Sequence, residues 1–228
     1  MRKMNLKGLL SPFTPDRNTR GDIGVGLAIT GFAMVGIFII SLVSGLIEVE
    51  SIGFDLKTFA FYTGLTWFAA GYEELIYRII LLSVLIKFLK RPWLAVVLTS
   101  VVFGWMHATN DHATLLSVIS NGLGGVMYGI AFVGTRKIWL PWALHFAWNY
   151  VQATILGFPL SGFEVDGILN LNLLDNTWLS GGLYGPEGGI VGITFRFVVI
   201  GLIILWIKKS RGSIYQMINQ STSSQNLA

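Results

Sequence analysis

The stretch Trp67-Phe68-Ala69-Ala70-Gly71-Tyr72-Glu73-Glu74-Leu75-Ile76-Tyr77-Arg78 sets two carboxylates and a guanidinium inside a long apolar run, residues 58–89. A charge in hydrocarbon costs roughly 2.5–3.5 kcal/mol or more on insertion scales, so such groups pair, line a polar cavity or do chemistry. A solvated face of an interfacial helix would also tolerate them, but the apolar residues on both sides argue against it. On a helix Glu74 and Arg78 are four apart and share a face, so they can form an ion pair. Glu73 is rotated from Glu74 by about 100° and cannot readily serve the same guanidinium. The spacing therefore predicts a division of labour. Glu74 neutralises Arg78, while Glu73 faces a cavity with Tyr77 on its own face to orient it.

Composition extends this reading to the whole chain. Of 228 residues, 53% are hydrophobic and 12% charged, with mean hydropathy +0.65. A soluble domain carries about 25% charged residues, so an integral membrane protein is expected. Apolar stretches run through 23–47, 58–89, 93–108, 113–134, 138–157 and 190–207. A span needs about 20 residues. The 58–89 run gives six spans as one long helix and seven if it breaks near Gly71; one long element is preferred. The predicted fold is an all-α, polytopic transmembrane helix bundle of about six spans around a polar intramembrane cavity. Residues 1–20 form a basic cytoplasmic segment, 21–212 the transmembrane domain and 213–228 a polar tail rich in Ser, Asn and Gln.

Charge orients the bundle. With six spans, Lys87, Lys90 and Arg91, then Arg136 and Lys137, then Lys208, Lys209 and Arg211 fall on the side of the basic N-terminus. The positive-inside rule puts both termini in the cytoplasm, and a bacterial plasma membrane is the expected location. Glu48, Glu50, Asp55, Asp111, Glu164, Asp166, Asp175 and Glu187 fall opposite. The net charge of +4 is explained by orientation and calls for no nucleic-acid partner. With no cysteine, disulfides and thiol catalysis are excluded. No internal repeat of the kind common in transporters is visible. The segment 158–189 is long, glycine-rich and contains Trp178 and Tyr184; it reads equally as a binding loop or as linker.

Two more motifs lie at membrane depth. In Phe103-Gly104-Trp105-Met106-His107, ring and imidazole face the same way, so Phe103 can pack beneath a site that His107 enters. A lone histidine near a span end is as readily an interfacial group, and Asp111, one turn on, either bonds it or marks the membrane edge. His112 is placed in the outer loop. In His145-Phe146-Ala147-Trp148-Asn149, His145 and Asn149 share a face. Asparagine can simply glue helices, yet the pair also offers two donors to a developing oxyanion.

Glu73-Glu74-x-x-x-Arg78, Phe103-x-x-x-His107 and His145-x-x-x-Asn149 together, in this order, resemble the signature of the CPBP (Abi) family. These are intramembrane proteases that include the type II CAAX prenyl endopeptidases. The resemblance spans roughly residues 67–150. It implies peptide-bond hydrolysis in or beside the membrane, with Glu73 as general base, His107 holding the water, and His145 and Asn149 stabilising the oxyanion. Glu74, Arg78, Phe103 and Tyr77 would be supporting residues. It implies a membrane-associated or lipidated peptide or protein as substrate, with membrane lipid as surroundings. A metal-free glutamate mechanism is preferred, since an oxyanion role for His145 leaves few ligands. Zinc on Glu73, His107 and His145 is the alternative. A non-enzymatic membrane protein, such as a bacteriocin self-immunity factor or scaffold, is the competing reading; a proton-relaying transporter or a purely structural polar cluster is less favoured.

Overall fold

The structure, a computed structural model, describes residues 10–174 and 177–212. It is a helix bundle with one short two-stranded sheet. Helix α1 spans Thr19–Val43 and is followed by strand β1, Ile47–Ile52. Helix α2, Leu56–Glu74, passes without a break into a π-helical segment, Leu75–Leu82, and then into α3, Ser83–Leu89. The preferred single long element is therefore present. Gly71 is no hinge: a Cβ there would lie 2.6 Å from the Trp142 indole, so its small size serves packing.

Helices α4 (Pro92–Met106), α5 (Leu115–Thr135) and α6 (Trp139–Asn149) follow, the last extended by a π-helical segment, Tyr150–Ile155. Strand β2, Leu169–Leu173, pairs antiparallel with β1, and the short α7, Thr177–Ser180, precedes α8, Ile190–Arg211. Local chemistry sets several boundaries. The Asp55 side chain caps α2 by accepting from the Thr58 N–H at 2.8 Å, and that hydrogen bond holds its carboxyl below the usual range. Thr114 and Ser117 form a reciprocal capping box at α5, and Pro92 opens α4.

Among the described residues, four helical stretches are long and apolar enough to cross a membrane: Thr19–Val43, Pro92–Thr109, Leu115–Thr135 and Ile190–Arg211. The two remaining elements are those split by π segments, and they carry the Glu73–Arg78 and His145–Asn149 motifs. Helices α4 and α5 make the closest pair. A Cβ on Gly104 would fall 2.5 Å from the Val118 carbonyl, so only glycine permits this backbone approach. The main core gathers Met34, Ile37, Phe103, Tyr128, Leu144, Trp148 and Ile203 from α1, α4, α5, α6 and α8.

The basic turns gather at one end. Lys137 donates to the Ser11 carbonyl at 2.8 Å, and Phe13, Leu85, Ile86 and Leu89 pack against one buried cluster that includes Leu82, Val96 and Ile138. Arg211 pairs with the fully buried Asp22, which also accepts from the Trp206 indole at 2.8 Å. At the other end lie the β1–β2 pair and the 107–114 turn, against which Gly162 is pressed. Residues 1–9 and 213–228, and Asp175 among the acidic loop positions, lie outside the described residues.

Candidate active site

Glu74 is fully buried and accepts from two partners. Its Oε2 takes the Arg78 Nε–H at 3.0 Å and its Oε1 takes His145 Nδ1 at 2.9 Å. The ion pair expected between Glu74 and Arg78 is present; the link to His145 was not foreseen. Arg78 Nη1 and Nη2 have no hydrogen-bond partner among the described residues. Their charge is instead enclosed by rings, with Cζ 5.3 Å from the centroid of Phe103, 5.6 Å from Tyr128 and 5.9 Å from Tyr77. Phe103 is the hub, packing edge-on against Tyr77 and His145 and at a tilt on His107.

Glu73 points elsewhere, as its rotation about the helix requires. Its Oε2 has no hydrogen-bond partner among the described residues and lies 3.9 Å from His145 Nε2. Tyr77 does not hold that oxygen; its ring packs on Phe103 at 4.9 Å. The π segments begin directly after Glu74 and directly after Asn149. Single π turns occur often at functional sites, because they re-aim side chains at the cost of regular hydrogen bonding.

His107 caps the C-terminus of α4. Its Nδ1 lies 2.7 Å from the Phe103 carbonyl, which can only accept, so Nδ1 carries a proton, and in the neutral ring Nε2 is the acceptor. Asp111 does not bind this ring; it is exposed in the following turn. His145 is buried, stacked on Tyr128 at 4.5 Å and 13°, and fixed through Nδ1 by Glu74.

Glu73, His107, His145 and Asn149 all line one cavity of about 480 Å³. The same cavity is lined by residues that the sequence reading passed over: Asn121, Tyr128, Ser161 and Arg196. It also receives Glu187, read there only as an acidic loop residue. The Glu187 carboxylate accepts from the Ser161 N–H at 2.9 Å and its hydroxyl at 2.6 Å, and pairs with Arg196 at 3.4 Å. The Asn110 amide donates to the Ser161 carbonyl at 2.9 Å, tying segment 158–189 to the turn that carries His107. This segment is thus a built wall of the cavity rather than linker. Ser161 is held at φ 50°, a conformation that costs a non-glycine residue energy and that its three hydrogen bonds offset. Tyr184, at the same wall, accepts from Asn121 at 2.7 Å; burial, reinforced by the Glu187 charge, pushes its hydroxyl up to about 12.

One signal could have found Arg196. It is a cation inside the 190–207 apolar run, where the logic applied to Arg78 holds equally. Tyr128 and Asn121 gave no comparable sign, since a tyrosine or an asparagine on a membrane helix is ordinary. Among the described residues, no three His, Asp or Glu side chains are grouped as a set that could hold a metal ion.

None of the curated proteins and none of the solved structures compared matches the chain. Residues 55–151, less than half of the chain, match the family model for Rce1-like type II CAAX prenyl endopeptidases. The matched segment runs from the cap of α2 through all three motifs to the first turn after Asn149, and over it the chain is similar to the type II CAAX prenyl endopeptidases.

Proposed function

We propose that the protein is a metal-free, glutamate-dependent intramembrane endopeptidase of the CPBP type, acting on peptides in or beside the membrane. The observation that carries this is Glu73 Oε2, without a hydrogen-bond partner among the described residues and facing a cavity that His107, His145 and Asn149 also line. A water there can give one hydrogen to Glu73 and the other to His107 Nε2, leaving a lone pair aimed at a carbonyl. Glu73 takes the proton as the C–O bond forms and returns it to the leaving nitrogen as the C–N bond breaks.

The oxyanion falls to Asn149 Nδ2 and His145 Nε2. Because His145 already gives its Nδ1 hydrogen to Glu74, Nε2 can donate only if the ring carries both protons. Glu74 on one side and Glu73 on the other stabilise that imidazolium. The doublet Glu73–Glu74 against Arg78 and His145 is then charge-balanced, which a buried site requires. We place both termini in the cytoplasm of a bacterium. The substrate is a membrane-associated or lipid-attached peptide, with lipid as the only other partner assigned and no nucleic acid.

The test is cleavage of a quenched fluorescent prenylated peptide by purified protein and its Glu73→Gln variant, with metal content measured on both. Cleavage abolished in the variant, at negligible bound metal, supports the reading. Cleavage retained by the variant, or proportional to bound zinc, overturns it.

A further inference from the structure

Arg196 on α8 is 1% exposed, yet it lines the cavity. Its guanidinium lies over the Trp148 ring at 4.4 Å and against Gly124, where a Cβ would come within 2.1 Å of Nη1. A guanidinium offers five donors. Here only Nη2 reaches acceptors, Asn121 Oδ1 and Glu187 Oε1, both at 3.4 Å, whereas charge-assisted bonds favour about 2.7–2.9 Å. Nε has no partner among the described residues. A buried cation this poorly satisfied, at the wall of a cavity with room for a ligand, lacks an oxygen acceptor.

The neighbours say which kind of oxygen fits. Asn121 is committed on both sides, donating to Tyr184 and accepting from Arg196, and Glu187 is fixed by Ser161. The pole is therefore rigid before anything binds. Glu187 already supplies a full negative charge to Arg196, and the cavity also holds Glu73 beside the Glu74–Arg78 pair. A carboxylate arriving there would add a buried charge with no counter-charge. A neutral carbonyl would fill the missing acceptor position without one.

We infer that Arg196, held by Asn121 and Glu187, is a second recognition pole that binds a main-chain carbonyl of the substrate other than the one attacked. This rests on the endopeptidase reading and sharpens it: the substrate is an extended peptide read through its backbone, with no requirement for a free C-terminal carboxylate near this pole.

The experiment uses the full-length protein in detergent and three forms of one fluorescent prenylated peptide. These are the C-terminal acid, the C-terminal amide, and a series with a single thioamide at each non-scissile bond, sulfur being the weaker acceptor. Acid and amide should be cleaved with kcat/KM within about twofold. One thioamide position should raise KM about tenfold with kcat little changed, the size of one charge-assisted hydrogen bond. Arg196→Lys should show the same loss on the parent peptide and no added loss at that position. If Arg196→Lys does not fold, the thioamide series on the unaltered protein still decides. An acid preferred over its amide by more than tenfold, or a thioamide series without any sensitive position, overturns the inference. Binding of the same peptides to Glu73→Gln, read by fluorescence anisotropy, separates the two readings. The thioamide pattern in binding without turnover by the unaltered protein would sink the enzyme and keep the pole; turnover without the pattern would do the reverse.

Discussion

At the scale of single residues, the two adjacent glutamates do different work because a helix turns by about 100° per residue. Glu74 is sealed in and holds two partners, so removing its charge strands Arg78 among aromatic rings and unlocks His145. Breaking one side of a buried pair costs about 3–5 kcal/mol. Glu74→Gln should therefore lower the melting temperature in detergent clearly below that of Glu73→Gln, whose lost oxygen has no hydrogen bond to abandon and only a 3.9 Å approach to His145 Nε2; equal melting temperatures would refute the division. Asn149→Ala should behave in the opposite way. A donor used mainly in the transition state is worth about 10²–10³ in kcat, so turnover should collapse while peptide affinity, measured on the same variant, stays within a few-fold. A loss confined to affinity would remove Asn149 from the oxyanion role. Glu73, Glu74, Arg78, Phe103, His107, His145 and Asn149 were legible in the chain because their spacings are helical and local. Arg196, Asn121 and Ser161 reach the cavity through long-range packing that no local spacing encodes, and Glu187 offered only its charge.

The elements explain how such groups are carried at membrane depth without disrupting the bundle. The two helices with the most polar motifs each contain a π segment, one beginning inside the Glu73–Arg78 motif and the other directly after Asn149, while the four most apolar stretches contain none. Hydropathy located all six elements but could not show π turns, which depend on how side chains from neighbouring helices pack. Nor could it show that segment 158–189 folds back through Ser161, Glu187 and β2, since those contacts are distant in sequence. Close approach of α4 and α5 sets where His107 ends up, because His107 terminates α4. Gly104→Val should thus push the two helices apart against the Val118 carbonyl. Overpacking of this kind costs about 1–3 kcal/mol, and the expected result is a lowered melting temperature with activity falling more than stability alone predicts. Unchanged activity and stability would mean that the α4–α5 spacing does not position the histidine.

Across the whole molecule, depth and direction of the site follow from where its residues sit along their helices. Asn121 is the seventh residue of α5 and Arg196 the seventh of α8, both counted from the end that bears the acidic turns, and His107 closes α4 at that same end. At 1.5 Å rise per residue the polar cavity lies about 10 Å below that surface, on the side away from the clustered Lys and Arg. If positive charge fixes the basic end in the cytoplasm, the cavity opens toward the opposite leaflet, and its substrate must be presented from there. The absence of cysteine makes this directly measurable. Single cysteines at the exposed positions Arg17, Arg91 and Lys209 should be shielded from an impermeant maleimide in intact cells and react only after permeabilisation. Cysteines at Glu50, Asp111 and Asp166 should react in intact cells. The reverse pattern would invert the protein and place the cavity on the cytoplasmic side, where cytosolic lipidated tails could reach it; reaction of Arg17 and Lys209 from opposite sides would break the even number of crossings that the Asp22–Arg211 pair requires.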